Sequence, residues 1–390
     1  MSFVKEQEGY GEEFTVENLS INSFNNSNCT EDDFENYFKT TEFSQLHSIA
    51  ISAYVWNDRL TNPLISYLRK AGFNGKIVLG GYQITYGKNE QLKYDYPDCD
   101  IFISGYAESS LLKSLDSKRC SKGTFIHTPL DFERIPSPYL SNELSVRKNQ
   151  GMVRMETKRG CPYRCSFCAH RDLTLNKIYR NPLDKVFQEL QLFRDKGVKR
   201  VNIIDPIFNV GNQYLDILKE IDRLGFRDTT FTLQTRFELI KGKTGKDFLS
   251  LISKTNAHLE FGIQTVIPAE YEAIQRPNNP QHIAKLFNDL NECGISYEVS
   301  LIYGLPEQTV DSFKRSVEFV QDHGCTKIAA YPLMLLKGTE LFDRKENWQM
   351  LEQPMGEFDI PVVTSSTTFD FDDWLEMDQI ANSLMFNNRF

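Results

Sequence analysis

The sequence predicts an α/β protein, a partial (β/α)6 barrel of the TIM type preceded by a small, truncated Rossmann-like domain. Three observations carry this. Apolar, strand-like runs alternate with amphipathic segments from about residue 47 to 115, and the alternation returns from Val153 to about residue 340. The runs end on glycines or on polar side chains, where α/β architectures place their ligand sites. The first run of the second block leads straight into a loop with three cysteines in eight positions.

Residues 1–45 are rich in Asn, Glu and Ser with poor periodicity, and read as a polar lead-in with one short helix at Glu31–Phe38. Residues 46–118 form the first α/β domain. Its strands are expected at 47–55, 75–81 and 99–105, with helices at 61–71 and 108–115. The second strand ends on Gly80 and Gly81 and the third on Ser104 and Gly105. Residues 119–152 read as a linker, because Pro136 and Pro138 in Ile135-Pro136-Ser137-Pro138-Tyr139-Leu140 favour an extended path.

The barrel spans 153–340, with strands expected at 153–157, 199–205, 229–236, 258–264, 296–303 and 326–334. Helices fall between them at about 182–196, 212–224, 245–253, 280–293 and 309–322. Six units are too few for an eightfold barrel but would close most of one, with the active mouth at the carboxyl ends of the strands. There the strand ends carry Asp205, Gln234, Arg236, Glu260, Gln264, Tyr303 and Gly304. Polar groups pointing into a barrel are costly unless they bind one another or a ligand, so this set reads as a ligand site. Residues 341–390 form a C-terminal helical extension whose amphipathic part, 371–386, is expected to pack near the open side of the barrel.

The loop Glu156-Thr157-Lys158-Arg159-Gly160-Cys161-Pro162-Tyr163-Arg164-Cys165-Ser166-Phe167-Cys168 carries the chemistry. Cuboidal iron-sulfur clusters take four cysteines, so a compact loop offering three leaves one iron open. Gly160 permits close backbone approach, Pro162 stiffens the turn, and Lys158, Arg159 and Arg164 are expected to favour the thiolates. Phe167 offers an apolar face beside the open iron. A structural zinc site completed by His170 is the alternative, although zinc sites usually use two separated cysteine pairs. The other five cysteines, Cys29, Cys99, Cys120, Cys293 and Cys325, show no pairing pattern and read as packing residues.

Composition narrows the function. Lys plus Arg total 44 against 53 Asp plus Glu, a formal charge of -9, which argues against a general nucleic-acid binder. No run of eighteen apolar residues and no apolar signal core near Met1 are present, so the expectation is a cytoplasmic protein with no membrane contact.

With Phe167 between Cys165 and Cys168, the cysteine spacing resembles the signature of the radical S-adenosylmethionine (SAM) superfamily. The approach to the loop from Glu156, residues 135–140, Gly262-Ile263-Gln264-Thr265 followed by Arg276, Leu301-Ile302-Tyr303-Gly304-Leu305-Pro306, and Gly338-Thr339 are similar to its cobalamin-domain branch. The resemblance covers about residues 46–390. It implies a 4Fe-4S cluster on Cys161, Cys165 and Cys168, with SAM chelating the fourth iron and cleaved reductively to a 5'-deoxyadenosyl radical. It also implies a SAM site drawn from Phe167, Asp205, Gln234, Arg236, Glu260, Gln264, Arg276, Tyr303 and Gly304. Within that set Arg276 or Arg236 would meet the carboxylate, Asp205 the amino group, Glu260 and Gln264 the ribose, and Phe167 with the backbone of Tyr303 and Gly304 the adenine.

The front domain departs from the branch. It resembles only the second half of a cobalamin-binding fold and has no Asp-x-His-x-x-Gly segment, and His47 precedes a strand. A three-stranded remnant is a poor pocket for a corrinoid. The reading is therefore a radical SAM enzyme that abstracts hydrogen from a small-molecule or peptide substrate, with a flavodoxin or ferredoxin as reductant. A cobalamin-dependent methyltransferase, with cobalamin as a further cofactor, is the first rival. A non-catalytic zinc or iron-sulfur protein is the second.

Overall fold

The computed structural model describes residues 1–21, 31–115, 121–129, 131–170, 177–356 and 358–387. Cys29 and Cys120 lie outside the described residues. The chain divides into two compact units. One comprises Met1–Asp131, Met334–Asp343 and Glu352–Val362, and the other Phe132–Leu333, Arg344–Leu351 and Val363–Phe390.

In the first unit α1 (Ser2–Lys5) and α2 (Glu31–Phe38) precede β1 (Ser48–Ser52), α3 (Asp58–Lys70), β2 (Lys76–Gly80), α4 (Tyr82–Thr85), α5 (Asn89–Asp95), β3 (Ile101–Ser104), α6 (Glu108–Ser114) and β4 (Thr124–His127). The four strands form a parallel sheet in the order β1-β2-β3-β4. Its core joins Ile65 and Leu68 of α3 to Ile77, Leu79 and Phe102 of the sheet. The lead-in is less loose than its composition implies, since Phe34 and Phe38 of α2 enter this core and Phe34 is 1% exposed. The sheet also has one strand more than the sequence indicates. β4 is four residues long with Pro129 just beyond it, too short to show a period.

In the second unit β5 (Val153–Met155) is followed by a small antiparallel ribbon, β6 (Lys158–Arg159) with β7 (Tyr179–Arg180). Then come α7 (Leu183–Lys196), β8 (Arg200–Ile203), α8 (Gln213–Leu224), β9 (Thr230–Thr235), α9 (Gly242–Ile252), β10 (Ala257–Gln264), α10 (Pro268–Ala273), α11 (Pro280–Glu292), β11 (Ser296–Tyr303), α12 (Val310–Asp322) and β12 (Ile328–Pro332). The six larger strands form one parallel sheet in the order β12-β11-β10-β9-β8-β5. A six-stranded parallel sheet flanked by helices is the partial barrel that the alternation predicts.

Side-chain alternation sets which face does what. On β10, Leu259, Phe261 and Ile263 are buried while His258, Glu260 and Gln264 are half-buried on the opposite face. The buried face is the one the helices cover, with Phe287 of α11 stacked on Tyr297 and Phe313 of α12 against Tyr303. The polar residues therefore line the inner face.

Residues expected to form a free linker instead pack on this unit. The Tyr139 hydroxyl donates to Arg154 O at 2.6 Å, and its ring meets Phe193 edge-on at 4.9 Å. Further on lie α13 (Glu340–Asp343), a two-stranded pair of β13 (Leu351–Met355) and β14 (Ile360–Ser365), and α14 (Phe371–Asn387). α14 packs on β11, β12 and α12, at the free edge of the sheet, with Trp374 and Met377 buried. Trp374 is core, while Phe371 at the helix start is exposed and stacks on it. Among the described residues, no helix is long and apolar enough to cross a membrane.

Candidate functional site

The cysteine loop leaves β5 and is held at its base by three devices. Thr157 N–H and Lys158 N–H donate to Asp205 Oδ1 at 2.7 and 3.1 Å, and the Thr157 hydroxyl donates to Oδ2. Lys158 Nζ, 1% exposed, donates to Phe208 O at 2.7 Å and Val210 O at 3.2 Å, and lies 3.9 Å from Asp205. Burial pushes the Asp205 carboxyl up and the Lys158 ammonium down. At the far end Ser166 N–H donates to Ile274 O at 2.9 Å. Gly160 has φ +85°, and a Cβ there would lie 2.3 Å from Lys177 O, so no side chain fits where the loop turns against β7.

Cys161 and Cys165 are buried and Cys168 is half-buried. No three His, Cys, Asp or Glu groups converge on one ion-sized point among the described residues, and His170 contributes only its backbone N–H, 3.5 Å from Cys168 Sγ. A zinc ion needs its four ligands on one point, whereas in a cuboidal cluster each cysteine takes a different iron. The compact loop with three thiols fits the cluster.

The cations beside the sulfurs are not those the sequence indicates. Lys158 is committed to backbone carbonyls, and Arg159 pairs with Glu156 and lies over the Phe132 ring. The guanidiniums that reach the loop come from later strands. Arg236 Nη1 lies 3.9 Å and Arg276 Nη1 3.7 Å from Cys165 Sγ. Burial pushes the Cys161 thiol up against the pull of Arg236 and Arg276, and the Cys168 thiol up to about 11 against the pull of Arg276. Iron held by these sulfurs would supply positive charge that favours the thiolates.

The strand ends are built as a linked rim. Arg236 N–H donates to Asn209 Oδ1 at 2.9 Å while Asn209 Nδ2 donates back to Arg236 O at 2.8 Å, joining the ends of β8 and β9. Arg276 Nη2 donates to Gly262 O, and Asn278 Nδ2 donates to Ile263 O at 2.9 Å and Thr265 O at 2.6 Å. These bonds hold the irregularity between Gly262 and Gln264, where Gln264 takes φ +73°. Glu260 and Gln234 stand in register on β10 and β9, and burial together with neighbouring Glu298 pushes the Glu260 carboxyl up. Behind the rim Glu270, 0% exposed, accepts from Thr265 Oγ1, Ser312 Oγ and, at 3.2 Å, Gln308 Nε2. Gln308 Oε1 in turn accepts Gly304 N–H at 2.7 Å and Leu305 N–H at 3.2 Å.

One assignment from the sequence changes. Asp205 does not offer its carboxylate to a ligand amino group, because Thr157 and Lys158 already occupy it. The Tyr303 side chain belongs to the outer core, where its hydroxyl donates to Asp378 at 2.6 Å and its ring meets Trp374. The Gly304 amide is likewise taken by Gln308. Gln234 and Arg236 do lie at the end of β9, Glu260 and Gln264 lie on β10, and Arg276, which follows α10, bonds back to Gly262. Asn209, Glu270, Asn278 and Gln308 carry the rim and escaped the sequence reading, since isolated amides and one acid after strand ends have no distinguishing spacing. Cys99 and Cys325 are buried as expected of packing residues, and Cys293 is exposed instead, just beyond α11.

Known proteins give this geometry a context. The profile of the radical SAM superfamily matches residues 155–320. Over 310 residues the chain is 24% identical to the cobalamin-dependent radical SAM methyltransferase TokK of Streptomyces tokunonensis, covering 71% of this chain and 45% of that protein. Over 282 residues it is 22% identical to the ribosomal protein uS12 methylthiotransferase RimO of Acetivibrio thermocellus, covering 69% and 61%. The chain thus spans about half the length of these relatives. In fold it is similar to the cobalamin-dependent SAM radical enzyme OxsB, with a TM-score of 0.64 at 13% identity over 93% of this chain and 61% of that one. Three thiols on the loop after the first strand of a parallel partial barrel fall within residues 155–320, the part of this chain that matches the radical SAM superfamily, and the chain is similar to cobalamin-dependent proteins of that superfamily.

Proposed function

We propose that the chain binds a 4Fe-4S cluster through Cys161, Cys165 and Cys168, holds SAM at the rim, and abstracts hydrogen from a small-molecule or peptide substrate without cobalamin. When bound, cluster and SAM together supply one-electron cleavage of the C5'–S bond, releasing methionine and a 5'-deoxyadenosyl radical that takes a hydrogen atom from the substrate. A low-potential protein reductant such as a flavodoxin or ferredoxin supplies the electron.

The observation that carries the reading is Arg276. It is 6% exposed, one N–H faces Cys165, another holds Gly262 O, and its Nε has no hydrogen-bond partner among the described residues. A buried donor without a partner costs about 1–3 kcal/mol, which a carboxylate beside the cysteine loop would recover. Arg276 is therefore assigned to the SAM carboxylate. Glu260 with Gln234 and Gln264 are assigned to the ribose, and Phe167 with the Gly304 backbone to the adenine. The amino group is left to the open iron and to backbone carbonyls, Asp205 being occupied.

The front unit supports the part of the reading that omits cobalamin. Open α/β sheets bind large cofactors where the strand order reverses and leaves a crevice. The order β1-β2-β3-β4 contains no reversal. Gly81 lies so close to β1 that a Cβ would meet Ala53 O at 2.6 Å, which leaves no gap between those strand ends. His127, at the end of β4, is bonded through Nδ1 to Ser104 O at 3.1 Å. Lys337 and Gly338, from the chain's own later segment, lie against Asp58, Asp95 and Tyr86 of the same unit. These features support a front unit that works without a corrinoid. The rival, cobalamin-dependent methyl transfer, is favoured by the likeness to TokK.

Anaerobic reconstitution separates these readings. The protein is expected to hold four irons and four sulfides and, with dithionite and SAM, to form 5'-deoxyadenosine. A stoichiometric corrinoid spectrum after purification with cobalamin would establish the rival. One equivalent of zinc with no 5'-deoxyadenosine would remove the enzyme reading of this site.

A further inference from the structure

We propose that Arg236 sets the reduction potential of the cluster through the guanidinium N–H that faces Cys165, an inference that rests on the cluster reading of this loop. Two buried guanidiniums converge on one sulfur, and they are held differently. Arg276 keeps a free Nε for a ligand. Arg236 has no such freedom. Its backbone is clamped in both directions by Asn209, its Nε and Nη2 are paired with Glu238, and its planar head lies 3.7 Å from the centroid of the Tyr163 ring. The side chain is 6% exposed, and Nη1 is the nitrogen left to face Cys165 Sγ, at 3.9 Å.

Such a residue is poorly placed to recruit an anion, because Glu238 already offsets its charge and its fork is filled. It is well placed to act on the sulfur. Reduction adds one electron, from an external one-electron donor such as dithionite, to a cluster held by three thiolates, and no bond is made or broken in that step. A fixed N–H and a positive charge at a ligand sulfur favour the form with more negative charge, and in a water-poor site they act with little screening. Tyr163 belongs to the cysteine loop itself, between Cys161 and Cys165, so the loop carries the surface on which its own tuning cation rests.

The test is an EPR-monitored potentiometric titration of the reconstituted full chain without SAM, in wild type, Arg236→Gln and Glu238→Gln. Arg236→Gln is expected to keep its iron and to lose about tenfold in the equilibrium for reduction, a shift of about 59 mV to lower potential for one electron. Glu238→Gln leaves the guanidinium unneutralised and is expected to move the midpoint the other way. Opposite signs in two variants of one ion pair separate tuning from general loosening, which would move both alike. Full iron with an unchanged midpoint in Arg236→Gln, or shifts of the same sign in both variants, overturns the proposal. Should Arg236→Gln fail to assemble a cluster, a midpoint in Glu238→Gln that does not rise overturns it. A wild-type protein that takes up no cluster would instead remove the cluster reading beneath it.

Discussion

The two sheets of this chain start from the same sequence grammar and end differently. Both are parallel, both run in simple sequential order, and both finish strands on glycines or polar residues. In the front unit several of those ends bond one another. Ala53 N–H bonds Gly80 O at 2.8 Å, Gly105 N–H bonds Thr85 Oγ1 at 3.0 Å, and Asn57 bridges Tyr54 N–H and Ser52 O. In the six-stranded sheet the ends are also linked, but Arg276 Nε and Ser166 Oγ are left unpaired at the cysteine loop, whereas the front unit's unpaired atoms, Thr128 Oγ1 just past β4 among them, accompany no such loop. Strand order does not separate the two sheets, since both are unbroken; the cysteine loop, carried by the six-stranded sheet alone, does. The capacity for chemistry thus follows from what the strand ends leave unsatisfied, not from alternation as such.

The largest effect expected from breaking this contrast is at the thiols. Replacing Cys161, Cys165 or Cys168 singly by Ala is expected to abolish 5'-deoxyadenosine formation and most bound iron, with the far-UV circular dichroism unchanged, because each thiol holds its own iron. Iron analysis and a product assay check this together. Wild-type iron in any of the three would contradict the assignment.

Next comes a matched pair of glycines, one in each unit. Gly81 has φ +97° and 2.6 Å of clearance to Ala53 O, and Gly160 has φ +85° and 2.3 Å to Lys177 O. Gly→Ala at either is expected to cost about 1–3 kcal/mol from backbone strain, with the clash added. Only Gly160→Ala should also lower the iron content of the folded protein, since its strain falls on the cysteine loop. Equal iron loss in both variants would erase the distinction between the units.

Glu270 sharpens the comparison further, because among the described residues the front unit buries no carboxylate. Glu270→Ala leaves the Thr265, Ser312 and Gln308 donors without their acceptor and is expected to destabilise by about 1–3 kcal/mol. By loosening the Gln308 bonds to the Gly304 and Leu305 amides, it should also weaken SAM binding more than it lowers the turnover of bound SAM. Equilibrium dialysis of SAM alongside kcat tests that split.

How much of this was legible follows from what each element needs to be seen. The barrel strands and the cysteine loop are long or densely marked. β10 and β11 alternate over eight residues each, and three cysteines in eight positions rarely arise from packing alone. β4, four residues of a strand, has no period to find. The cations were misassigned for a different reason. Lys158 and Arg159 are adjacent to Cys161 in sequence, but the ribbon of β6 and β7 turns them away, while Arg236 and Arg276 arrive from 71 and 111 residues beyond Cys165. Asp205 is legible as a site residue, but its partners, the Thr157 and Lys158 amides, are not. A carboxylate at a strand end looks the same in sequence whether it faces a ligand or two backbone amides.

The smallest expected effect is one of pH. Burial raises the Glu270 carboxyl above its ordinary value, and the three neutral donors only partly oppose this. A carboxyl whose pKa is higher folded than unfolded contributes stability that is full below the unfolded value and is lost as pH rises through the folded one. Glu270→Gln removes that titration and keeps an amide oxygen to accept from Thr265 and Gln308. The wild type should therefore lose ground to Glu270→Gln as pH rises from about the ordinary Glu value of 4.5, with the gap constant once the pH is well above the raised value. Other groups titrate alike in both proteins and cancel in the difference. Melting temperatures of the anaerobic holoprotein at several pH values give the curve. A pH-independent gap would mean that Glu270 titrates equally folded and unfolded, which its burial among hydroxyls and an amide does not allow.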